Sequence, residues 1–277
     1  FGVIVVTFLI GGVSMLLRFR QPKLINSPYY QKKAFTISED VKEATPTARM
    51  PVKVPILLYH YVEYVKDKGD TIRQSLDIVP RVFEEQIQTL LSDSYTFITM
   101  DELADYLDGE QSLPPKPIII TFDDGYRDLR TDVLPILQKY HVKAVAYIVS
   151  GFVDKPNFMS TQELREVASS GLVEIAAHSV HHLNLKAIKP EQAQKEVEES
   201  KGAIEKLVGI PVHNFAYPYG DFNQHIIEFV QKAGYRTAAS VIAGSIHSEQ
   251  DRYFLYRLRP GARTGKVLTS WLESLTK

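Results

Sequence analysis

Residues 117–124, PIIITFDD, form an almost continuous apolar run that ends in two carboxylates, and this run gives the clearest indication of the fold class. A short run of this kind is typical of a strand buried on both faces. Similar runs recur at PILLYH (55–60), TFITM (96–100), KAVAYIVS (143–150), LVEIAAHS (172–179), HNFAYPYG (213–220), TAASVIAG (237–244) and LYRLRP (255–260). The sequence therefore predicts about eight strands in a folded unit that begins near residue 54.

Amphipathic stretches separate these runs and predict covering helices, one of them opened by a capping box of Ser160 and Glu163. The predicted apolar faces are Phe83, Ile87, Leu90 and Leu91; Leu164, Val167 and Ala168; Val197, Ile204, Leu207 and Val208; Ile226, Phe229, Val230 and Ala233; and Val267, Trp271 and Leu275. Strands that alternate with helices indicate a parallel α/β sheet, for which a distorted (β/α) barrel of seven or eight strands fits best. An open doubly wound sheet is the alternative, although no Gly-x-Gly-x-x-Gly or P-loop motif marks a nucleotide crevice.

Composition narrows the chemistry further. The 277 residues include 32 Lys and Arg against 33 Asp and Glu, for a net charge of −1. This balance lacks the basic footprint of a nucleic-acid-binding protein, so we expect no nucleic-acid partner. With no Cys in the chain, His and carboxylate side chains are the metal ligands available.

The amino-terminal run FGVIVVTFLIGGVSMLL, residues 1–17, carries no charge and is followed by Arg18 and Arg20. Its length predicts a single membrane-spanning or signal-anchor helix over residues 1–20. A cleaved signal peptide is the closest alternative, although no Ala-x-Ala pattern follows, and a buried core helix is another. Residues 21–53 show no sustained periodicity and predict a linker, with the catalytic domain at 54–277.

Polar side chains follow several of the predicted strands at the point where each strand ends. In a barrel these carboxyl ends meet at one face, which is where catalytic residues are found. The residues are His60, Asp123 with Asp124, His178 with His182, Tyr219, and Arg257 or Arg259.

Two of these motifs, TFDDG (121–125) and HSVHH (178–182), resemble those of the polysaccharide deacetylases of the NodB-homology type, carbohydrate esterase family 4. The resemblance extends over roughly residues 54–265, because the PILLYH and FAYPYG runs also occur in the family's order. It implies a distorted (β/α) barrel with one divalent metal that removes N-acetyl groups from N-acetylglucosamine polymers. The Tyr59-His60 pair is similar to the branch that acts on poly-N-acetylglucosamine and cell-wall polysaccharides.

Asp124, His178 and His182 offer one oxygen and two imidazoles, which leaves coordination positions open for water and substrate. With the resemblance, this donor set predicts one divalent metal ion, Zn²⁺ first, with Co²⁺ or Ni²⁺ as alternatives. A non-haem iron oxygenase uses the same ligand types, but the parallel α/β pattern does not match those all-β proteins.

The resemblance also implies the catalytic roles. Asp123 is the expected base toward the attacking water, and the backbone N–H of Tyr219 is the expected oxyanion donor. The sequence departs from the commoner family form by having Asn214 where that form has Arg. We therefore expect another cation to hold Asp123, and Arg259 is preferred over Arg257 because it lies nearer the strand end.

The general acid is expected to be His60, by resemblance to the branch with a Tyr-His pair on the first strand. The commoner form has a His near the end of the domain, and none follows His247 here. The remaining histidines are expected at the surface or in turns, with His181 nearest the site; they are His141, His181, His213, His225 and His247.

These observations predict a membrane-anchored deacetylase. Arg18, Arg20 and Lys23 alone would favour a cytoplasmic catalytic domain, so charge leaves the orientation open, and the extracellular orientation is expected from the polymers that the resemblance implies. The expected partner of the enzyme is a polysaccharide containing N-acetylglucosamine: peptidoglycan, a wall-linked polysaccharide or poly-N-acetylglucosamine. A catalytically weak carbohydrate-binding protein on the same barrel and an O-acetyl esterase are the alternatives. A glycosidase fits poorly, because adjacent carboxylates cannot flank a glycosidic bond at the separation of about 5 to 9.5 Å that the reaction needs.

Overall fold

The apolar runs form short strands, and the amphipathic stretches between them form helices. The computed structural model describes residues 50–67 and 69–275. The strands in this part of the chain are β1 (Val52–Lys53), β2 (Ile56–Tyr59), β3 (Thr96–Phe97), β4 (Pro117–Phe122), β5 (Ala144–Ile148), β6 (Val173–Ala177), β7 (Asn214–Ala216), β8 (Thr237–Ala239) and β9 (Ile246–His247). The α-helices are α1 (Thr71–Leu76), α2 (Pro80–Ser92), α3 (Met100–Leu107), α4 (Leu134–Tyr140), α5 (Thr161–Ser169), α6 (Pro190–Val208), α7 (Gln224–Lys232) and α8 (Gly265–Ser274).

One parallel sheet forms the centre of the molecule. Its strand order is β2-β4-β5-β6-β7-β8, and β3 pairs with the first residues of β4. Helices follow most of these strands and cover the outer face, as expected where parallel strands are joined by crossovers. The predicted parallel α/β architecture is therefore confirmed.

The sheet curls until its two edges approach one another, and residues 255–258, here called the closing segment, lie between them. At one end the N–H of Leu255 donates to the carbonyl of Ala238 beside β8, at 2.8 Å. At the other end the N–H of Leu258 donates to the carbonyl of Ile56 in β2, also at 2.8 Å. This connection gives a curled, barrel-like sheet and not an open doubly wound one.

Side chains alternate between the two faces of each strand, as the pleat requires. In β4, Ile118, Ile120 and Phe122 pack outward in the core between sheet and helices. Ile119 packs inward in a second core, together with Val145 and other residues inside the curl. Every second residue of a strand points to the same face. Asp123, four residues after Ile119, therefore also points into the interior, at the carboxyl end of the strand.

The opposite end of the sheet is covered by a two-stranded antiparallel ribbon. In it β1 pairs with β9, with Val52 opposite His247. His247 is fully buried and contacts the carbonyl oxygen of Val54 through Nε2 at 2.9 Å. The expectation that His247 lies at the surface or in a turn is therefore wrong, because no residue pattern around it indicates that β1 and β9 pair.

Several local predictions hold and others need correction. The Ser160–Glu163 capping box is formed at the start of α5. The predicted strand at 96–100 ends at Phe97, because Thr99 and Glu102 form a second capping box that starts α3. In α8, Leu268 and Leu272 are the buried residues, while the predicted Val267 is 65% exposed. The predicted strand at 255–260 makes only isolated pairs.

No helix within residues 50–67 and 69–275 is long and apolar enough to cross a membrane. The predicted membrane-spanning helix, residues 1–20, and most of the predicted linker lie outside the described residues.

Candidate active site

The two adjacent carboxylates after β4 point to different partners because the backbone turns between them. The N–H of Asp123 donates to the carbonyl of Tyr59 at 3.0 Å, which continues the parallel pairing with β2. Asp124 and Gly125 then adopt φ angles of +74° and +82°. Asp and Gly are among the residues that tolerate this left-handed region, so the sequence Asp-Asp-Gly separates the two side chains.

Asp123 forms a buried ion pair with Arg257 of the closing segment. Its Oδ1 lies 2.7 Å from Nη1 and its Oδ2 lies 2.8 Å from Nη2. Burial alone would raise the pKa of Asp123, but the charge and hydrogen bonds of Arg257 outweigh it and hold this pKa well below the usual range. Asp123 is therefore ionised at neutral pH.

The preference for Arg259 as the partner of Asp123 is wrong. Leu258 is the last residue that pairs with β2, so Arg259 already lies beyond the sheet and is exposed. Arg257, one residue before that last pair, points into the curl, where its Nε also donates to the carbonyl of Ser240 at 2.7 Å.

Asp124, His178 and His182 converge on one point. Asp124 Oδ1 lies 3.5 Å from His178 Nε2 and 3.3 Å from His182 Nε2. Each residue offers one donor atom, and these atoms lie within 4.8 Å of one another. The structure thus brings together the three residues predicted as metal ligands.

The protonation of this cluster suits a cation. His178 Nδ1 lies 2.8 Å from the carbonyl oxygen of Ala216, and a carbonyl only accepts, so Nδ1 carries the proton and Nε2 keeps its lone pair. Burial lowers the pKa of His178 and of His182, which favours neutral rings. Asp124 Oδ1 is buried and has no hydrogen-bond partner among the described residues. An unpaired buried oxygen beside two imidazole lone pairs fits a divalent metal ion.

The loop after β6 brings His182 back beside His178. Ser179 and His182 both have positive φ angles, 63° and 54°, and the N–H of His182 donates to Ser179 Oγ at 3.0 Å. The two imidazole centroids end 4.9 Å apart. Two left-handed residues in a turn, and not a helix, therefore bring the second ring back beside the first.

Tyr219 borders this cluster. Its φ is +60°, and its ring lies 4.6 Å from that of His182, centroid to centroid, although the residue is 62% exposed. No acceptor within the described residues takes its backbone N–H.

His60 follows β2 at the same end of the sheet. Burial is the largest effect on its pKa and lowers it, while the nearby charge of Asp123 acts in the opposite direction. The residue lines a small cavity of about 70 Å³ together with Ser75, Asp77 and Arg259. His60 is thus beside the site but outside the set of three ligands.

The other histidines lie elsewhere. His181 Nδ1 contacts Glu196 Oε1 at 2.7 Å, and His213 contacts Asp101 at the far end of the sheet. Glu196 is a residue that sequence reasoning missed. The helical spacing could have identified it, because a charged residue at position 196 shares the buried face of α6 with Ala193 and Val197.

Tyr126 was also missed. Its ring stacks on that of Tyr61 with centroids 3.9 Å apart, and its hydroxyl helps to lower the pKa of Asp124, which burial raises overall. No pattern in the sequence distinguishes Tyr126 from an ordinary core aromatic residue.

The curled parallel sheet thus gathers buried carboxylates and imidazoles at its carboxyl edge, where enzymes with parallel barrels carry their catalytic residues. Residues 110–238 match the family described as polysaccharide deacetylase. The resemblance found in the sequence is thereby confirmed, and the protein belongs among hydrolytic enzymes.

Three relatives illustrate the similarity. YxkH of Bacillus subtilis (strain 168), which is named as a polysaccharide deacetylase, is 28% identical over 249 residues, covering 88% of this chain and 86% of YxkH. The poly-beta-1,6-N-acetyl-D-glucosamine N-deacetylase of Staphylococcus aureus (strain MSSA476) is 29% identical over 189 residues, covering 64% of this chain and 65% of that protein. The Streptococcus pyogenes deacetylase PplD, solved in complex with acetate, has the same fold, with a TM-score of 0.74, 24% identity, and coverage of 82% of this chain and 100% of PplD.

Proposed function

We propose that the protein hydrolyses the N-acetyl groups of N-acetylglucosamine residues in a cell-wall or extracellular polysaccharide, with the help of one divalent metal ion. The observation that carries this proposal is the unpaired, buried Oδ1 of Asp124 between two imidazoles, directly beside the ionised Asp123. The name of the S. aureus relative supports an amide of N-acetylglucosamine as the substrate.

Asp124, His178 and His182 would hold the ion, and Zn²⁺ suits their donor set. When bound, the ion would polarise the acetyl carbonyl and make an attacking water more acidic. Co²⁺ and Ni²⁺ suit the same ligands.

Asp123 is the proposed base toward the attacking water. Arg257 keeps it ionised and fixes its orientation through two hydrogen bonds. The same ion pair makes Asp123 a weak base, so it releases a captured proton readily. Asp123 is therefore suited to accept a proton briefly and to pass it on.

The acetyl oxygen gains negative charge as the water attacks. The backbone N–H of Tyr219, directed by the positive φ of that residue, is the proposed donor to this oxygen.

His60 is the proposed donor of a proton to the leaving amine. Because burial lowers its pKa, its ring is mostly neutral near pH 7 and must first receive a proton. Asp123 lies close enough for its charge to act on His60, and a proton released by Asp123 meets this need.

We also propose that residues 1–20 anchor the protein in the cell membrane with the catalytic domain outside. The uncharged run over residues 1–17 and the location of the proposed polymers support this arrangement. Protease treatment of intact cells should digest the catalytic domain while a cytoplasmic marker survives; protection of the domain would contradict the proposed orientation.

The function is tested by acetate release from a panel of polymers: poly-N-acetylglucosamine, peptidoglycan, a wall polysaccharide and O-acetylated xylan. We expect release from an N-acetylated polymer that a chelator abolishes and added Zn²⁺, Co²⁺ or Ni²⁺ restores, with about one ion per chain by elemental analysis. Release from the xylan alone would favour the O-acetyl esterase. Binding of polymers without release would favour the carbohydrate-binding alternative.

A further inference from the structure

The loop that carries His182 has a strained backbone, which the hydrogen bond from the His182 N–H to Ser179 Oγ supports only in part. Ser179 and His182 are both in the left-handed region, at φ angles of 63° and 54°, and neither is Gly. Such residues cost of order 1 kcal/mol or more each and persist only where surrounding contacts determine them. The position of the His182 imidazole therefore depends on what binds the loop between these two residues.

Glu196, a buried residue in α6, binds that part of the loop. Its Oε2 accepts hydrogen bonds from the backbone N–H groups of Val180 at 3.0 Å and His181 at 2.7 Å. Its Oε1 lies 2.7 Å from His181 Nδ1, so the carboxylate contacts the side chain as well as the backbone of this loop. A single carboxylate thus takes both N–H groups between the two left-handed residues.

The turn after β5 holds the loop from the other side. The N–H groups of Ser150 and Gly151 donate to the carbonyls of Ser179 and Val180, at 3.1 and 2.9 Å. A Cβ atom on Gly151 would lie 2.5 Å from the Val180 carbonyl oxygen, which explains why Gly occupies this position. The loop's carbonyl groups thus accept hydrogen bonds from the turn after β5, and its N–H groups donate to Glu196.

We propose that Glu196 is a positioning residue for the metal site: it fixes the backbone of residues 179–182 and thereby places His182 Nε2 toward Asp124. This inference rests on the proposed function, because it assumes that His182 ligates the ion. Groups that orient metal ligands typically contribute about 10- to 100-fold to metal affinity. Glu196 does not contact the imidazole of His182. It acts on that ligand indirectly, through the backbone of the loop that carries it.

The test measures metal binding directly. Purified, metal-free wild-type protein and the variants Glu196→Ala and Glu196→Gln are titrated with Zn²⁺ by calorimetry. The visible spectrum of Co²⁺ added alone then reports the coordination geometry. We expect Glu196→Ala to bind Zn²⁺ about 10- to 100-fold more weakly and to alter the Co²⁺ spectrum. Glu196→Gln keeps an acceptor for the loop and should recover part of the affinity.

Two control variants separate positioning from general destabilisation. Glu199 is exposed on the same helix, and Glu199→Ala should leave metal affinity and stability unchanged. Glu174 is a buried carboxylate at the other end of the sheet, and Glu174→Ala should lower stability while leaving the Zn²⁺ affinity unchanged. Amide hydrogen exchange should show faster exchange at Val180 and His181 in Glu196→Ala only.

The possible failures are distinguishable. Tight Zn²⁺ binding by the wild-type protein with an unchanged affinity in both Glu196 variants would overturn this inference and leave the proposed function intact. An equal loss of affinity in Glu174→Ala would also overturn it, because the effect would then follow stability. Failure of the wild-type protein to bind Zn²⁺ or Co²⁺ would overturn both proposals.

Discussion

The two ends of the curled sheet both bury charged groups, but they pair them differently. The end where the strands finish, here called the mouth, contains Asp123, Asp124 and the two clustered imidazoles. The end where β6, β7 and β8 begin, here called the floor, contains Asp101, Glu174 and Asn214. Side chains alternate between the two faces along each strand, and this alternation places polar residues inside the curl at both ends of the sheet.

At the floor the carboxylates are surrounded by donors. Glu174 accepts from the Asn214 amide through Oε1 at 2.5 Å and from the backbone N–H of Asp101 through Oε2 at 3.0 Å. The same amide donates to Asp101 at 3.0 Å, and the Asn214 oxygen accepts from the Thr237 hydroxyl at 2.7 Å. Arg236 adds an ion pair with Asp105 at 2.7 Å.

At the mouth the pairing is incomplete. Asp123 is fully engaged by Arg257, yet its neighbour Asp124 keeps an oxygen with no hydrogen-bond partner among the described residues. Buried polar atoms are nearly always paired, so an unpaired carboxylate oxygen between two imidazole nitrogens indicates a place where a ligand completes the structure. We therefore expect the floor carboxylates to contribute to stability and the Asp124 oxygen to contribute to ligand binding.

The variant His182→Ala gives the strongest test of the proposed difference between the two ends, because it removes one of the three donors at the mouth. We expect metal content and acetate release to fall together to background, because two protein ligands no longer hold the ion. Elemental analysis and the acetate assay measure the two effects. His225→Ala, a change at an exposed histidine on α7, is the matched control and should retain both. Full metal occupancy in His182→Ala would show that the ligand set is wrong.

His60→Ala tests whether the mouth extends beyond the ligands. A general acid contributes about 10² to 10⁴-fold, so kcat on an N-acetyl amide should fall by at least about 10²-fold. The loss should be smaller on an activated aryl acetate, whose leaving group needs no proton, and metal content should be unchanged. Equal losses on both substrates would indicate that His60 orients the substrate and does not protonate the amine.

Asn214→Ala tests the floor. The substitution removes the amide that Asp101 and Glu174 share, so we expect the free energy of unfolding in urea to fall by about 3 kcal/mol. The Zn²⁺ affinity and the turnover of the folded fraction should not change. A loss of turnover without a loss of stability would contradict the assignment of separate roles to the two ends.

The smallest expected effect concerns Asp128, a further buried carboxylate near the mouth. Burial raises the pKa of Asp128 from its usual 3.8 to about 7, and its Oδ1 has no hydrogen-bond partner among the described residues. A raised folded-state pKa favours the protonated form, so the stability that this form contributes is lost as pH rises through about 7. Asp128→Asn should abolish this loss, which is at most about 1.4 kcal/mol per pH unit.

Urea unfolding of the wild-type protein and Asp128→Asn at several pH values between 5 and 8 measures the difference. Glu85→Gln, a change at an exposed carboxylate on α2, serves as the control. A constant difference between wild type and Asp128→Asn across this range would show that Asp128 titrates as an ordinary surface carboxylate.

Local patterns predicted much of this architecture. The apolar runs placed β4, β5 and β6, and the polar residues after them identified the cluster of Asp124, His178 and His182, because strand periodicity and strand ends are readable in a few neighbouring residues. The Ser160–Glu163 capping box was readable for the same reason. The Thr99–Glu102 box gives an equally local signal and marks the true start of α3.

Features that depend on distant contacts were not predictable. Whether Arg257 or Arg259 meets Asp123 depends on where the closing segment stops pairing with β2, and that pairing is between residues about 200 positions apart. The role of Glu196 depends on α6 packing beside the loop after β6. In α8, a shift of one residue separates the predicted face, with Val267, from the buried one, with Leu268.

The closing segment ties the order of folding to the start of activity. Asp123 and Arg257 are 134 positions apart in the chain, and they meet only when residues 255–258 dock between β2 and β8. Until then the nearly complete sheet carries a carboxylate without its cation, a situation that costs roughly 3 to 5 kcal/mol when the carboxylate is buried. During synthesis the ribosome adds Arg257 more than a hundred residues after Asp123, so the ion pair that holds the proposed base cannot form until the closing segment has been made. We therefore expect the proposed base to be complete only in the step that joins the edges of the sheet.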